Sequence, residues 1–192
     1  MEACARCAGL EDVLSLLREK KNDEELTPQM MERLQQYWDL SKDPDYQQVD
    51  FNEANGGIIA SHIGHHFDKV GGKYEKEVMT AGYNSGHVVI MGDERSKSSK
   101  HTEGTWDGKL FEVSGRETAS ENNILKGLKH CANKRDTQIA ILDFPNGGFN
   151  LDTIKSALIR FNGLSKLNDG QYLKFEKIIC VQNEEIVYEI NL

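Results

Sequence analysis

Proline is scarce in this 192-residue chain, with three in all, and cysteine is nearly so, with four. The first scarcity excludes a collagen-like or proline-rich disordered chain, and the second excludes a disulfide-dense mini-protein. Long apolar runs are missing too. The longest, such as Ile139 to Leu142 and Ile178 to Val181, fall far short of a membrane span, and the N-terminus carries no apolar signal segment. A cytoplasmic location with no membrane partner is the expectation. Positive charge is also in deficit, 23 Lys and Arg against 31 Asp and Glu, for a net charge of −8. A deficit of that size argues at first sight against nucleic acid, whose phosphates are bound by Lys and Arg displacing counterions.

What is present moderates that exclusion. Hydrophobic residues make up 38% of the chain, enough for one domain with a real core plus a short extension. Residues 1–50 hold 6 basic against 12 acidic side chains, which leaves 17 against 19 for residues 51–192. Within residues 96–142 the balance is +2, from eight basic and six acidic side chains. Nucleic acid is therefore allowed but not implied. Cys4-Ala-Arg-Cys7 has the spacing of half a zinc knuckle or a redox pair, yet no second CxxC or CxxH follows to complete a site. Free reduced thiols fit better, with Cys131 and Cys180 as small core residues.

Periodicity divides the chain. Leu10 to Lys21 and Pro28 to Leu40 both carry apolar residues at helical spacing, with Thr27-Pro28 as a cap and first-turn proline, so residues 1–50 read as an acidic N-terminal helical hairpin. Residues 47–72, with two Gly-Gly pairs and His62, His65 and His66, read as an irregular, structured loop. An α/β domain over residues 51–192 follows. Its first helix places Tyr74, Glu77, Val78 and Ala81 on one face, turns Glu75 elsewhere, and stops at Gly82. Strands are expected at His87 to Met91, Lys109 to Ser114, Gln138 to Phe144, Lys177 to Gln182 and Ile186 to Ile190, the last two joined by a tight turn at Asn183-Glu184. Helices are expected after Ser120 and from Leu151 to Phe161. This order describes a mixed sheet flanked by helices. No internal repeat, P-loop, dinucleotide turn, HExxH helix or GxSxG elbow is present.

Three acidic residues converge on one end of that sheet: Glu77 on the helix, Glu103 at a hairpin mouth and Glu112 on a strand. Acidic side chains can hold a divalent cation that polarises a phosphoryl group and activates water, with a nearby Lys stabilising developing charge. A metal-free site would instead use one carboxylate as base towards a ribose hydroxyl. The three histidines lack a carboxylate or Cys at matching spacing and read as loop residues. His101, beside Lys97 and Lys100 in a polar stretch, and Lys126 on a helix face are candidate substrate contacts.

The run Tyr74-Glu-Lys-Glu77-Val78, Ala81-Gly82-Tyr83 and His87-Val88-Val89, then Asp107-Gly108-Lys109-Leu110-Phe111-Glu112-Val113, then an Asn-rich helix and Gln138 to Asp143, resembles the C-terminal nuclease domains of contact-dependent growth inhibition toxins. These are the CdiA C-terminal tRNase type, with relatives at the ends of phage minor head proteins of Bacteroidales. The resemblance covers roughly residues 55–192. It implies a PD-(D/E)XK or BECR-like nuclease core that cleaves RNA, tRNA in particular, with Mg²⁺ or another divalent cation. An immunity protein or phage head proteins are the implied partners, and a phage particle the alternative location. Glu77 and Glu112 match the toxin pattern's helix and strand Glu, and Glu103 stands at its Asp position, so Glu103 and Glu112 are the implied metal ligands. The pattern's Lys is replaced by Ser114, a hydrogen-bond donor to phosphate, with Lys109 or Arg116 left to balance charge. Because Ser114 carries no charge and no strong basic patch is present, a non-catalytic structural domain of a phage head protein stands beside the nuclease, and the acidic surface allows a third reading, an antitoxin or immunity protein that mimics nucleic acid to a basic toxin.

Overall fold

The computed structural model describes residues 27–68, 70–95, 102–134, 136–167 and 175–192, together with Gly9 and Ser15. The first helix of the expected hairpin, the pair Cys4 and Cys7, and Lys97, Lys100 and His101 lie outside the described residues. The elements run α1 (Pro28–Lys42), β1 (Tyr46–Phe51), β2 (Ile58–His62), α2 (Gly72–Asn84), β3 (Val88–Met91), β4 (Gly104–Trp106), β5 (Lys109–Gly115), α3 (Glu121–Ala132), β6 (Ile139–Asp143), α4 (Leu151–Leu167), β7 (Lys177–Gln182) and β8 (Glu185–Asn191). The strands form one eight-stranded mixed sheet whose spatial order is the sequence order. Pairs β2/β3, β5/β6 and β6/β7 are parallel, and the remaining pairs are antiparallel. Strands β2, β3, β5, β6 and β7 therefore point the same way and end on one edge. A mixed α/β architecture is what the periodicity predicts. No described helix is long and apolar enough to cross a membrane.

Local chemistry sets the boundaries. Thr27 Oγ1 accepts the Met30 N–H at 3.2 Å and Pro28 opens α1, so two otherwise unsatisfied positions of the first turn are accommodated. Ser120 caps α3 in the same way through the Asn123 N–H at 3.3 Å. Asp107 and Gly108 take φ of 49° and 80° between β4 and β5, the left-handed pair that matches strand twist in a two-residue hairpin. Asn183 and Glu184, at 52° and 62°, do the same between β7 and β8.

Side chains alternate between the two faces of the sheet. Ala140, Leu142, Ile178 and Cys180 pack under α3 and α4 with Ile124, Leu128 and Ile154. Ile139, Ile141 and Ile179 pack on the other face against Val78 and Met79 of α2, with Val89, Met91, Trp106 and Phe111. Every residue of β6 is buried, which explains its unbroken apolar run. Each such side chain contributes about 1.5–3 kcal/mol of burial. Helix α2 touches β2, β3, β5, β6, β7 and β8, so the sheet curls around it.

Three expectations need correction. Gly104–Trp106, absent from the expected strands, forms β4 between β3 and β5. Residues 46–62 are not an irregular loop but the pair β1/β2, whose alternation is obscured by a register shift between Gln47 and Asp50 and by Gln48 at φ 52°. Gly82 does not end the first helix, which runs to Asn84. It sits where a Cβ would come within 2.4 Å of Val89 and 2.8 Å of the Trp106 ring, so its lack of a side chain serves close packing. The stop falls at Ser85, followed by Gly86 at φ 81°. Helix α1 is tied to the sheet through Leu34, which packs with Phe51, Ile58 and Val88.

Candidate functional site

Pairing of β4 with β5 ends at Gly104 and Phe111, so β5 continues past its short neighbour towards Gly115. A cavity of about 420 Å³ opens there, lined by Glu75, Glu103, Glu112, Ser114, Arg116, His130 and Lys134 among others. It lies outside the carboxyl ends of the parallel strands, the edge on which open α/β sheets place their ligands. The loop after β2 brings His65, the loop after β3 brings Gly92 and Glu94, and the first turn of α2 brings Glu75.

Glu112 is fully buried, a position that costs a carboxylate several kcal/mol unless it is paired. Its Oε1 lies 3.0 Å from His130 Nε2 and 3.4 Å from Lys134 Nζ, both on or just beyond the end of α3. Its Oε2 has no hydrogen-bond partner among the described residues. Glu103 is the next residue on the β4 side, level with Glu112 across the hairpin. Burial first, then the charges of Glu112, Glu75 and Glu94, push its carboxyl up to about 8, with Lys134 acting in the opposite direction. His65 is wholly enclosed; its Nδ1 lies 3.2 Å from the Gly92 carbonyl and its Nε2 3.1 Å from Glu75 Oε2. Burial alone would lower its pKa, but the bond to Glu75 and the charges of Glu94 and Glu75 outweigh that and hold it above its ordinary value.

Crowded carboxylates with raised protonation demand are the setting a divalent cation relieves. One ligand atom from each of His65, Glu75 and Glu103 lies within 4.8 Å of the other two, and the orphaned Glu112 oxygen belongs to the same cavity. The donor chemistry fits. An imidazole nitrogen with carboxylate oxygens suits a divalent metal and leaves positions open, and the Gly92 carbonyl on His65 Nδ1 is the outer-shell contact that orients such a histidine.

Of the residues singled out in the sequence, Glu103, Glu112, Ser114 and Arg116 meet at this cavity. Ser114 is buried with its hydroxyl unpartnered among the described residues. Glu77 goes elsewhere: it faces Asp143 at the end of β6. Asp143 is fully buried, and neither of its oxygens nor Glu77 Oε2 meets a donor group among the described residues. Two carboxyl groups in contact bond only by sharing a proton, and burial, followed by the Glu77 charge and hydrogen bond, pushes Asp143 up to about 8. Lys109 stands at the opposite end of β5, where its ammonium pairs with Glu176. It is three residues, about 10 Å of strand, from Glu112. Lys126 is exposed on α3, outside the cavity lining.

Four residues of the site escaped the sequence reading: His65, Glu75, His130 and Lys134. Glu75 was legible in principle, since it shares a helical stripe with Val78, Met79 and Gly82, all buried. His65 was not, because its carboxylate partner stands ten residues away on another element.

No protein-family model matches the chain, and no curated protein matches its sequence. Among solved structures, a chain of the CdiA-CT/CdiI toxin and immunity complex from Burkholderia pseudomallei is similar, at a TM-score of 0.43 and 15% identity over 65% of this chain and 89% of that one. A likeness at that level leaves the chemistry of the site to its own geometry.

Proposed function

We propose that the chain is a toxin-type, ribonuclease-like domain that hydrolyses phosphodiester bonds of RNA with a divalent cation held by His65, Glu75 and Glu103. The observation that carries the reading is the convergence of these donors with buried Glu112 and Lys134 on one open cavity. RNA as the polymer, tRNA as its class and an immunity protein as partner rest on the sequence resemblance alone.

A cation bound there would polarise a phosphoryl oxygen and lower the pKa of a bound water. The chain's own groups do the rest. Lys134, 3.4 Å from Glu112, brings the positive charge that Ser114 lacks, from just beyond the end of α3 rather than from the strand. That substitution answers the departure from the toxin pattern, because what stabilises a developing phosphorane charge is the position of the cation, not its place in the sequence. Arg116 at the rim reaches a phosphate on its way in, and the Ser114 hydroxyl offers a donor. His65 would have to be deprotonated to hold a cation, so affinity for the cation should rise with pH.

Purified protein incubated with total tRNA and Mg²⁺ or Mn²⁺ should produce cleavage that chelator abolishes and that Glu103→Gln lacks. Equal inertness of the wild type and the variant under every cation would overturn the enzyme reading in favour of a binding domain.

A further inference from the structure

We infer that His130 is the general base of this site, oriented by Glu112; this rests on the phosphodiester-hydrolysis reading above. The argument starts from what a carboxylate can do. Glu112 Oε1 only accepts hydrogen bonds, so at 3.0 Å the proton between the two groups belongs to His130 Nε2. The tautomer is thereby fixed, and Nδ1 of the neutral ring carries the lone pair. The His130 side chain is 46% exposed whereas Glu112 is 0%, so the ring joins a fixed carboxylate to the open cavity that both of them line.

The other histidines near the sheet are differently committed. His65 is enclosed, with both nitrogens engaged by Gly92 and Glu75. His62 Nδ1 accepts the Gly64 N–H at 3.0 Å, and His87 lies between Asp107 and Glu189 at the far end of the sheet. His130 alone among these combines a buried orienting acid with an exposed ring in the candidate cavity. Lys134, 3.4 Å from the same Glu112 oxygen, helps hold that carboxylate in place.

In the step this assigns, Nδ1 takes one proton from a water as the water oxygen bonds to phosphorus. The bond from phosphorus to the leaving ribose oxygen breaks with its electron pair, and that oxygen takes a proton from solvent. Glu112 stabilises the imidazolium until it returns its proton to solvent, so one water and one diester give one monoester and one hydroxyl.

The test compares wild type, His130→Ala and His130→Gln on RNA with Mn²⁺, with and without added imidazole. His130→Ala should lose about 10²- to 10⁴-fold in kcat with KM little changed. Free imidazole, entering the space left by the ring, should restore part of the loss. His130→Gln, which keeps a donor for Glu112 but takes no proton, should be as slow and stay unrescued. Variants as fast as wild type would overturn this role while leaving the nuclease reading intact, as would a slow His130→Ala that imidazole fails to revive. Wild type inert on RNA would overturn both.

Discussion

The molecule holds two assemblies of acidic side chains at the same edge of one sheet, and they solve the problem of buried negative charge differently. Around the cavity, Glu75, Glu103 and Glu112 have cationic or ionisable company in His65, His130 and Lys134 and an opening to solvent. Between α2 and β6, Glu77 and Asp143 face each other, with Asp143 fully enclosed and the Lys73 charge only the last and opposing influence on it. A closed pair is satisfied by one proton. An open group of acids with a histidine among them can exchange its protons for a metal ion, which is what separates a structural feature from a chemical one.

The largest expected difference lies in turnover. Glu103→Gln should lower RNA cleavage on the order of 10³-fold, the scale of losing a principal charge-stabilising element, whereas Glu77→Gln should change it by less than about tenfold. The same Glu103→Gln should raise the melting temperature at pH 7 without metal. Its carboxyl is pushed up to about 8, so folding at neutral pH must take up a proton that glutamine does not require. Cleavage lost and stability gained in one variant is the signature of a residue retained for chemistry. A melting temperature that fell would break the comparison at its first point.

The closed pair should declare itself in the pH dependence of stability. Asp143 titrates near 4 when unfolded and at about 8 when folded. Across that interval the folded state binds more protons than the unfolded one, so stability is fully present at low pH, falls as pH rises through the window, and levels off above about 8. The integrated effect is on the order of a few kcal/mol. Asp143→Asn should flatten the decline, raising the melting temperature at pH 8 and leaving it nearly unchanged at pH 4. Saturating Mn²⁺ should offset the Glu103 part of the decline in wild type and leave the Asp143 part untouched.

Gly115 stands between the two assemblies, lining the cavity while pairing in register with Asp143. A Cβ there would lie 2.1 Å from the Tyr74 ring, which also donates its hydroxyl to Glu117 at 3.2 Å. Gly115→Ala should therefore destabilise by about 1–3 kcal/mol through overpacking. Tyr74→Ala in the same chain should recover most of it, a coupling that denaturant titration of the four-way cycle would measure.

How much of this was legible beforehand follows from the range of the signals. Turns and caps are local: Thr27-Pro28, Asp107-Gly108, Ser120 and Asn183-Glu184 each act where the sequence places them. Strands β1 and β2 were missed because a bulge breaks the period-2 pattern on which strand recognition depends. The site was half legible. Glu103 and Glu112 meet because they face each other across one hairpin, a relation that nine residues of sequence can show. Glu75 and Glu77 were exchanged because two residues of helix turn a side chain through about 200°, and both carboxylates find buried surroundings on opposite sides of α2. The partnership of Lys134 with Glu112 depends on how α3 lies across β5, which no local pattern records.

Lys109 supplies the smallest predicted effect and the cleanest control on that last point. It belongs to the same strand as Glu112, and in the toxin-like pattern it was a candidate to balance charge. Its ammonium is instead held by Glu176, beside Gln138, at the end of β5 away from the cavity. Both side chains of that pair are about half exposed, at 51% and 48%, where water and salt screen most of the attraction. Lys109→Ala should leave RNA cleavage within about twofold of wild type, while Lys134→Ala should slow it by about 10²-fold or more. Cleavage that depended on Lys109 and ignored Lys134 would mean that the catalytic charge follows the strand sequence rather than the cavity, and would move the site to the other end of β5.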